Sequence, residues 1–448
     1  MANVIKIKKG LDINLKGKAP EMLLSGGKSS TYAIVPDYFN GVLPKVIVKV
    51  GEKVKAGTPI MVDKKRPEIK FVSPVSGELV AVNRGAKRKI LSVVVKADEK
   101  GEYEDLGKKS VKGMDAESVK EALQNAGAWP FIRQRPYDIV ASPSDKPRDI
   151  YVTAFDSAPL APRFDFVVKG EEANFQAGID ALAKLTEGKV YVGIKKGSHV
   201  KVSGAEVYEM VGPHPAGNVG ILINHTKPVN MNEVVWTVKA TDVILLGRAL
   251  NTGRVDFSRM VALTGSEVKE LGFVKCIAGC EISSITKDKL KNTDHVRVIS
   301  GNVLTGRNVT TEGYLGAYDN QITVIPEGDD VNDFFGWINM GVNHYSFSRA
   351  CTSWLAGKSK EYDIDARIKG GKRAIVMSHV FDKLFPMDIL PEYLLRATIA
   401  FDIEKMEKLG IYEVAPEDFA LCEFADSSKM ELQQIIRNGL DLLYKEMN

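Results

Sequence analysis

The sequence predicts a multidomain α+β protein: a β-rich N-terminal domain, an α/β layer, a small second β module and a helical C-terminal domain. Three observations predict it. Residues 42–96 break into short β-branched runs separated by Gly and Pro turns. Residues 101–255 alternate helix-like and strand-like runs, the pattern of a largely parallel sheet covered by helices. Beyond residue 329 apolar positions recur at helical spacing. The 448 residues accommodate such a division, since a domain takes about 150 residues. The expected boundaries are 1–100, 101–255, 256–328 and 329–448.

Composition excludes several classes. Apolar residues make up 44% and charged residues 26%, with a net charge of +4, which argues against intrinsic disorder. No uncharged apolar run reaches the roughly 18 residues of a membrane-spanning helix. The start, MANVIKIKKGLDI, alternates apolar and basic residues, so no secretory signal is expected. Four cysteines cannot build a disulfide framework, which points to a reducing compartment. The charge is uneven. Residues 1–100 hold 20 Lys/Arg against 9 Asp/Glu, and the remainder holds 41 against 48. The basic domain is either a well-solvated surface or a docking face for an acidic partner or an anionic membrane. Nucleic acid is not expected, because no aromatic platform or recognition helix accompanies the charge.

In chain order, Lys45–Val50 reads as a strand and Gly51–Gly57 as a turn with Gly at both ends. Thr58–Val62 and Glu68–Val72 flank a central hairpin, Asp63-Lys64-Lys65-Arg66-Pro67. Glu78–Val82 and Ile90–Val95 complete a second, similar half-unit around the basic turn Arg84–Lys89. The pattern V-x-V-G-E-x-V-x-x-G followed by P-V-x-G-x-[LV] resembles the biotinyl/lipoyl carrier domain, a flattened β-barrel of two halves. A carrier presents one modifiable Lys at the hairpin tip. Here lipoyl spacing lands on Arg66 and biotin spacing on Lys64, and Arg accepts neither group. The expectation is a biotinyl/lipoyl-like scaffold, with modification of Lys64 or Lys65 as the alternative.

Residues 97–115 read as a linker. Asp115 caps a helix to Gln124 with Ala116, Val119 and Leu123 on one face. Asp149–Phe155 is a strand, Glu171–Thr186 a helix, and Lys189–Ile194 and Ala205–Val211 strands. Val219–Ile223 begins after a Pro/Gly stretch. Val234–Ala240 is expected helical and Val243–Leu246 a buried strand. In the next module Val296–Ile299, Gly301–Leu304 and Ile322–Ile325 are the strand candidates. Helices are expected at Asp330–Asn339, Pro391–Leu409 and Lys429–Lys445. In the second of these, Leu394, Leu395, Ala397, Thr398, Phe401, Ile403 and Met406 spread over a wide face, as in a buried bundle helix.

Chemistry-bearing motifs are few. Cys276 and Cys280 form a close pair with no second pair to complete a zinc or iron–sulfur set, so they read as buried thiols. Cys351 and Cys422 stand alone. The six His, at 199, 214, 225, 295, 344 and 379, show no zinc-protease spacing; His214 sits in a Gly-Pro-His-Pro-Ala-Gly loop. No metal site is expected. No Walker loop, G-x-G-x-x-G or G-x-S-x-G is present, so no self-sufficient catalytic site is expected. The densest aromatic-plus-Arg cluster is Trp129-Pro130-Phe131-Ile132-Arg133-Gln134-Arg135-Pro136-Tyr137. Arg forks and stacks while Trp and Tyr bury area, so the cluster suits a flat aromatic ligand, an interface between subunits, or ordinary core and rim packing.

Several segments together resemble the A-type subunits of the Na⁺-translocating NADH:quinone reductases (Na⁺-NQR). They are Ile7–Ile13, Trp129–Pro136, Pro147–Ala154 with Asp156 and Pro159–Ala161, His214–Gly220, Pro386–Pro391 and Asp418–Glu423. The resemblance implies a biotinyl/lipoyl-like β-barrel, a Rossmann-like α/β layer, a small β-grasp (SLBB-like) module and a C-terminal helical domain. The domain order is also similar to the C-type subunits of Rnf ferredoxin:NAD⁺ reductases and to the flavin-carrying chain of respiratory complex I. Those relatives carry a Gly-rich flavin/NADH loop, an acidic–Cys element and cysteine-rich cluster motifs. Here Ala126–Phe131, Ala154–Pro159 and Leu421–Asp426 stand in their place. Flavin and iron–sulfur binding are therefore expected to be lost.

The family implies a peripheral chain on the cytoplasmic face of a six-subunit bacterial inner-membrane complex. Integral membrane subunits are its partners, and NADH, flavins and a 2Fe–2S centre sit in other chains. The complex couples NADH oxidation and ubiquinone reduction to Na⁺ export. The family also implies quinone as a ligand of this chain; on aromatic–cation chemistry the contact residues are Phe131, Arg133 and Arg135. The alternatives are a retired carrier protein serving as an assembly scaffold, and an Rnf-like electron-transfer subunit.

Overall fold

A computed structural model describes residues 3–331, 343–349, 351–357 and 359–447. The chain opens with a strand, β1 (Asn3–Lys6), that does not belong to the N-terminal barrel. The barrel follows: β2 (Thr31–Ile34), β3 (Pro44–Val46), β4 (Lys53–Val54), β5 (Pro59–Asp63), β6 (Lys70–Val72), β7 (Gly77–Arg84) and β8 (Ile90–Ala97). They form two antiparallel sheets, β2-β8-β7-β4 and β3-β5-β6. Ile60, Met61, Ile69, Leu79, Val93 and Val95 fill the space between the sheets. The strand read at Lys45–Val50 is shorter, and the stretch read as a turn donates β4 to the second half. The β5–β6 hairpin is pinned. Asp63 is buried and accepts from Arg66 Nε at 2.8 Å, while the Arg66 guanidinium donates to the carbonyls of Gly41 and Val140.

The second domain begins with α1 (Ala116–Asn125), capped by the Asp115 side chain on the Ser118 amide. Its buried face is Val119, Ala122 and Leu123, with Ala116 exposed instead of facing inward. β9 (Arg133–Arg135), β10 (Ile139–Val140), β11 (Ile150–Ala154), α2 (Phe164–Val167) and α3 (Glu172–Lys184) come next. They are followed by β12 (Val190–Lys195), β13 (Glu206–Val211), α4 (Val219–Thr226), β14 (Val235–Lys239) and α5 (Ala240–Thr252). The seven strands lie in the order β1-β13-β12-β11-β14-β9-β10. The pairs from β1 to β14 are parallel, and β9 and β10 turn antiparallel at the far edge. From β11 the chain builds outward through β12 and β13, then crosses back to lay β14 on the other side. The order therefore reverses between β11 and β14. α3 and α5 cover one face at very short range. A Cβ at Gly247 would sit 1.8 Å from the Asn174 carbonyl oxygen, and one at Gly178 2.2 Å from that of Val243.

The expectations for 234–246 are inverted in the structure: Val235–Lys239 is a strand and Ala240–Thr252 a helix. A central parallel strand is buried on both faces and reads as a continuous apolar run. α5 is enclosed nearly all round, with Val243 to Leu250 buried, so it too lacks an amphipathic stripe. Two short apolar runs without periodicity cannot be told apart locally.

The third module holds β15 (Ser258–Thr264), β16 (Gly272–Ile277), α6 (Ser283–Thr286), β17 (Val296–Ser300), β18 (Arg307–Val309) and β19 (Gln321–Pro326). Its sheet is β16-β15-β19-β17-β18, with β15 and β19 parallel and the other pairs antiparallel. Gly301–Leu304, expected as a strand, is a bend and turn before β18. Among the described residues the C-terminal region supplies α7 (Pro391–Ile399), α8 (Ile403–Lys408), α9 (Ala420–Ala425) and α10 (Leu432–Met447). The expected helix at Asp330–Asn339 falls almost wholly outside the described residues. Pro391–Leu409 is two helices, not one. The chain breaks at Phe401, which takes a positive φ of 54° and is 62% exposed rather than part of the buried face. Leu394, Leu395, Met406, Phe419, Ile436 and Leu440 form one core, continuous with Tyr151, Ile221 and Leu222 of the α/β domain.

Candidate functional site

The Trp129–Pro136 cluster divides once folded. Trp129 is fully buried, donates its indole N–H to the Ala141 carbonyl at 2.9 Å and meets Trp236 edge-on at 5.3 Å. It is a core residue. Phe131 closes a short 3₁₀ turn, with Phe257 at 5.6 Å and Tyr318 at 5.8 Å between ring centroids. Arg133 and Arg135 alternate along β9. Arg133 forms an ion pair with Asp138 and stands 5.5 Å over the Tyr318 ring. Arg135 is sealed from solvent and reaches into the helical region. It donates to Asp418 Oδ2 at 2.9 Å, to the Glu413 carbonyl at 2.5 Å and to Glu417 at 3.3 Å. Burial raises the carboxyls of both Glu417 and Asp418, with Arg135 pulling the other way.

Phe131 and Arg133 line a cavity of about 120 Å³; Arg135 does not. The cavity lies at the C-terminal ends of β11 and β14, where the strand order reverses. Open parallel sheets take ligands at that point because the loops there diverge to opposite faces and leave a crevice. Thr153–Asp156 after β11, His214–Val219 after β13 and Lys239–Asp242 after β14 form its walls. The β-grasp module supplies a roof through Tyr318 and Asn320, and Glu417 comes from the helical region. Three bonds hold the roof: Tyr318 OH to the Pro130 carbonyl at 2.6 Å, Lys239 Nζ to the Tyr318 carbonyl at 3.2 Å, and Asn320 to Thr241 at 2.9 Å.

Among the described residues, two buried polar side chains on these walls are incompletely paired. His214 is 4% exposed. Its Nδ1 lies 3.0 Å from Ser157 Oγ, which also accepts the Gly217 amide at 2.8 Å, and its Nε2 has no partner. Burial pushes the imidazole down to about 4, with Asp156 and Asp12 opposing, so the ring is neutral at pH 7. Asp242, in the first turn of α5, is 1% exposed. Its Oδ1 accepts from Arg259 at 3.3 Å and its Oδ2 has no partner. Burial pushes the carboxyl up to about 6, against the pull of Arg259, Lys239 and Arg133. Sequence reasoning noticed the His214 loop but read it as a turn. It missed Tyr318 and also Asp242, which lies between the expected helix Val234–Ala240 and the expected strand Val243–Leu246. An Asp at the third position of an apolar helix, just after a Val-rich strand, is the signal that was available.

Trp129 and Phe131, in the segment expected to stand in place of a Gly-rich loop, are both buried. Cys276 and Cys280 are buried together in the β-grasp core and hydrogen-bond to each other, which raises the first thiol and lowers the second. Cys422 is buried in the helical core, its thiol pushed up by burial. Among the described residues, three ligand-type side chains come close enough to share an ion only at His295, Asp329 and Asp330, all exposed. No helix of the described residues is long and apolar enough to cross a membrane.

Comparison with known proteins matches the chain domain by domain. Residues 5–98 match the NqrA N-terminal barrel-sandwich hybrid domain, 114–255 the NqrA second alpha/beta domain, and 260–311 the NQRA C-terminal domain. The A subunit of the Na(+)-translocating NADH-quinone reductase of Neisseria meningitidis serogroup B is 36% identical, over 99% of this chain and 100% of that one. Its counterpart in Vibrio vulnificus is 37% identical over the same shares. Among solved structures, the NAD+-reducing [NiFe]-hydrogenase in the H2-reduced state aligns with 48% of this chain and 50% of that one, at 12% identity and a TM-score of 0.33. Full-length identity above a third, with all three domain matches in order, establishes that the chain belongs to the NqrA family, the A subunits of the Na(+)-translocating NADH-quinone reductases.

Proposed function

We propose that this chain serves as the peripheral NqrA component of a Na⁺-translocating NADH:ubiquinone reductase. The observation that carries the reading is the end-to-end match to relatives of that name. The complex oxidises NADH, reduces quinone and exports Na⁺. In this reading flavins and the 2Fe–2S centre belong to partner subunits of a six-subunit assembly, and this chain holds no cofactor of its own. The filled loop at Trp129–Phe131 and the scattered cysteines support that assignment, because a flavin phosphate needs bare backbone and a cluster needs about four convergent thiolates. The chain sits on the cytoplasmic face of the inner membrane against integral membrane subunits, and its basic N-terminal domain suits such a position.

Quinone is the ligand proposed for the switch-point cavity, with Phe131 and Arg133 as contacts: the phenyl ring stacks and the guanidinium donates to a ring oxygen. Arg135 acts through the helical region, holding Glu417 at the cavity wall. A carrier role for Lys64 or Lys65 is disfavoured, since a carrier hairpin must travel and this one is tied by Arg66 to Gly41 and Val140.

A tagged chain purified from detergent-solubilised membranes tests the reading. Integral membrane partners and Na⁺-dependent quinone reductase activity should co-purify, and the isolated chain should be colourless. Stoichiometric flavin or iron in the isolated chain, or an intact Na⁺-dependent reductase in cells lacking it, overturns the proposal.

A further inference from the structure

The cavity contains a polar asymmetry that a site for a flat apolar ring does not require. One wall, the loop between β13 and α4, places the neutral imidazole of His214 there with Nε2 unpaired. Another wall, the first turn of α5, places Asp242 there with Oδ2 unpaired. Both residues are more than nine-tenths buried, and a buried polar atom left without a partner is costly enough to be uncommon. Aromatic side chains from three separate segments, Phe131, Phe155 and Tyr318, complete the enclosure. The cavity therefore asks for a ring compound with an acceptor for an imidazole N–H and a donor for a carboxylate.

We infer that this cavity discriminates between the two redox forms of its quinone ligand, binding the quinol in preference to the quinone, with Asp242 as the specificity-determining residue. The inference rests on the quinone reading above. A quinol O–H donates to the Asp242 carboxylate; a quinone carbonyl is an acceptor and would face that oxygen without a proton between them. The His214 Nε2–H donates to an oxygen of either form. Ser157 Oγ lies 3.0 Å from Nδ1 and accepts the Gly217 amide; we take the tautomer in which Ser157 donates to Nδ1 and the imidazole proton sits on Nε2.

The preference depends on pH. Arg259 of β15, Lys239 of β14, Arg133 of β9, and Asp319 and Tyr318 of the roof face Asp242. Together with burial they set its proton equilibrium near pH 6. Above that pH the carboxylate accepts from quinol. Below it the carboxylic acid donates, and the quinone carbonyl becomes the better partner.

Equilibrium binding of decylubiquinone and decylubiquinol to the purified full-length chain tests this, the quinol being kept reduced under argon. The wild type at pH 7.5 should bind quinol about tenfold or more tighter than quinone, the worth of a charged hydrogen bond. The preference should collapse at pH 5 without any substitution, and in Asp242→Asn at pH 7.5. His214→Leu should weaken both forms severalfold, and Phe131→Ala should weaken both equally. If the wild type binds quinone and Phe131→Ala weakens it, but the quinol preference is absent or indifferent to pH, this inference fails and the quinone reading stands. If neither form binds, the quinone reading fails and this inference with it.

Discussion

Replacing Arg135 with Met leaves the Asp418 carboxylate buried without its guanidinium. The two side chains are 1% and 0% exposed, and their 2.9 Å bond joins the edge of the α/β sheet to the segment leading into α9. Arg135 also serves the Glu413 carbonyl and Glu417, so one substitution removes the donor from three acceptors, two of them buried. Removing one partner of a buried pair costs about 3–5 kcal/mol, whereas a surface pair is worth about 0–1 kcal/mol. Asp418 keeps the Ala415 amide at 2.8 Å, which places the expected loss at the lower end, about 3 kcal/mol. Urea unfolding at pH 7.5, followed by tryptophan fluorescence, reads it, because Trp129 and Trp236 both lie in this domain. The double variant Arg135→Met/Asp418→Leu should recover most of the loss, since an apolar pair of similar volume replaces a buried ion pair at little cost. The single variant should also be less impaired at acidic pH, where the lone carboxyl takes up a proton. A loss below about 1 kcal/mol, or no recovery in the double variant, would show that the pair behaves as a solvated surface contact and not as a buried one.

Further outcomes follow from the same geometry. Asp242 has a folded pKa near 6 against an unfolded value of about 3.9, so its contribution is present below pH 4 and lost as pH rises through 6. The stability gap between Asp242→Asn and wild type should therefore widen in favour of the variant by about 3 kcal/mol from pH 4 to pH 7; a constant gap refutes the buried carboxylate. His214 has the opposite sign. Its folded value near 4 lies below the unfolded value of about 6.5, so about 3 kcal/mol present above pH 6.5 is lost as pH falls through 4, and His214→Gln should lack that loss. Gly247→Ala should destabilise by about 1–3 kcal/mol, the reverse of an unobstructed helix position. Gly113, with nothing within 4 Å of its Cβ position, is the neutral control, and equal melting temperatures for the two Ala variants would refute the close α3–α5 contact. In the native chain a thiol reagent should modify Cys351 well before Cys276, Cys280 and Cys422, which are buried. Mass mapping that finds Cys280 first contradicts the packing of the β-grasp core.

Much of the fold was legible where local chemistry is decisive. Asp115 caps α1 because a carboxylate takes the Ser118 amide wherever a helix follows. The β5–β6 and β7–β8 hairpins follow from turns on each side of alternating runs, needing nothing from the rest of the chain. Legibility failed where burial is two-sided. β14 and α5 are exchanged because both are buried on nearly every side and neither shows an amphipathic stripe. β1 was grouped with the barrel, although its partner is β13, some 200 residues on. Phe401 was placed in a core that the break between α7 and α8 turns it away from.

The candidate site divides in the same way. Phe131 and Arg133 stood out as a local cluster of aromatic and guanidinium groups. Arg135 carries the same chemistry two residues on, yet points to Asp418 because the helical region is packed against that end of β9.

Sequence alone determined the family, the order of domain types and the absence of glycine-rich and cysteine-rich cofactor motifs, since each depends on residue identity and short spacing. Tertiary structure alone decided which groups share the switch-point cavity. Phe131, His214, Asp242 and Tyr318 are far apart in the chain and meet because the strand order reverses between β11 and β14 and the β-grasp module closes over the gap. It also decided their protonation: burial drives His214 down and Asp242 up, and the number of atoms packed around a side chain is not written in its neighbours along the chain.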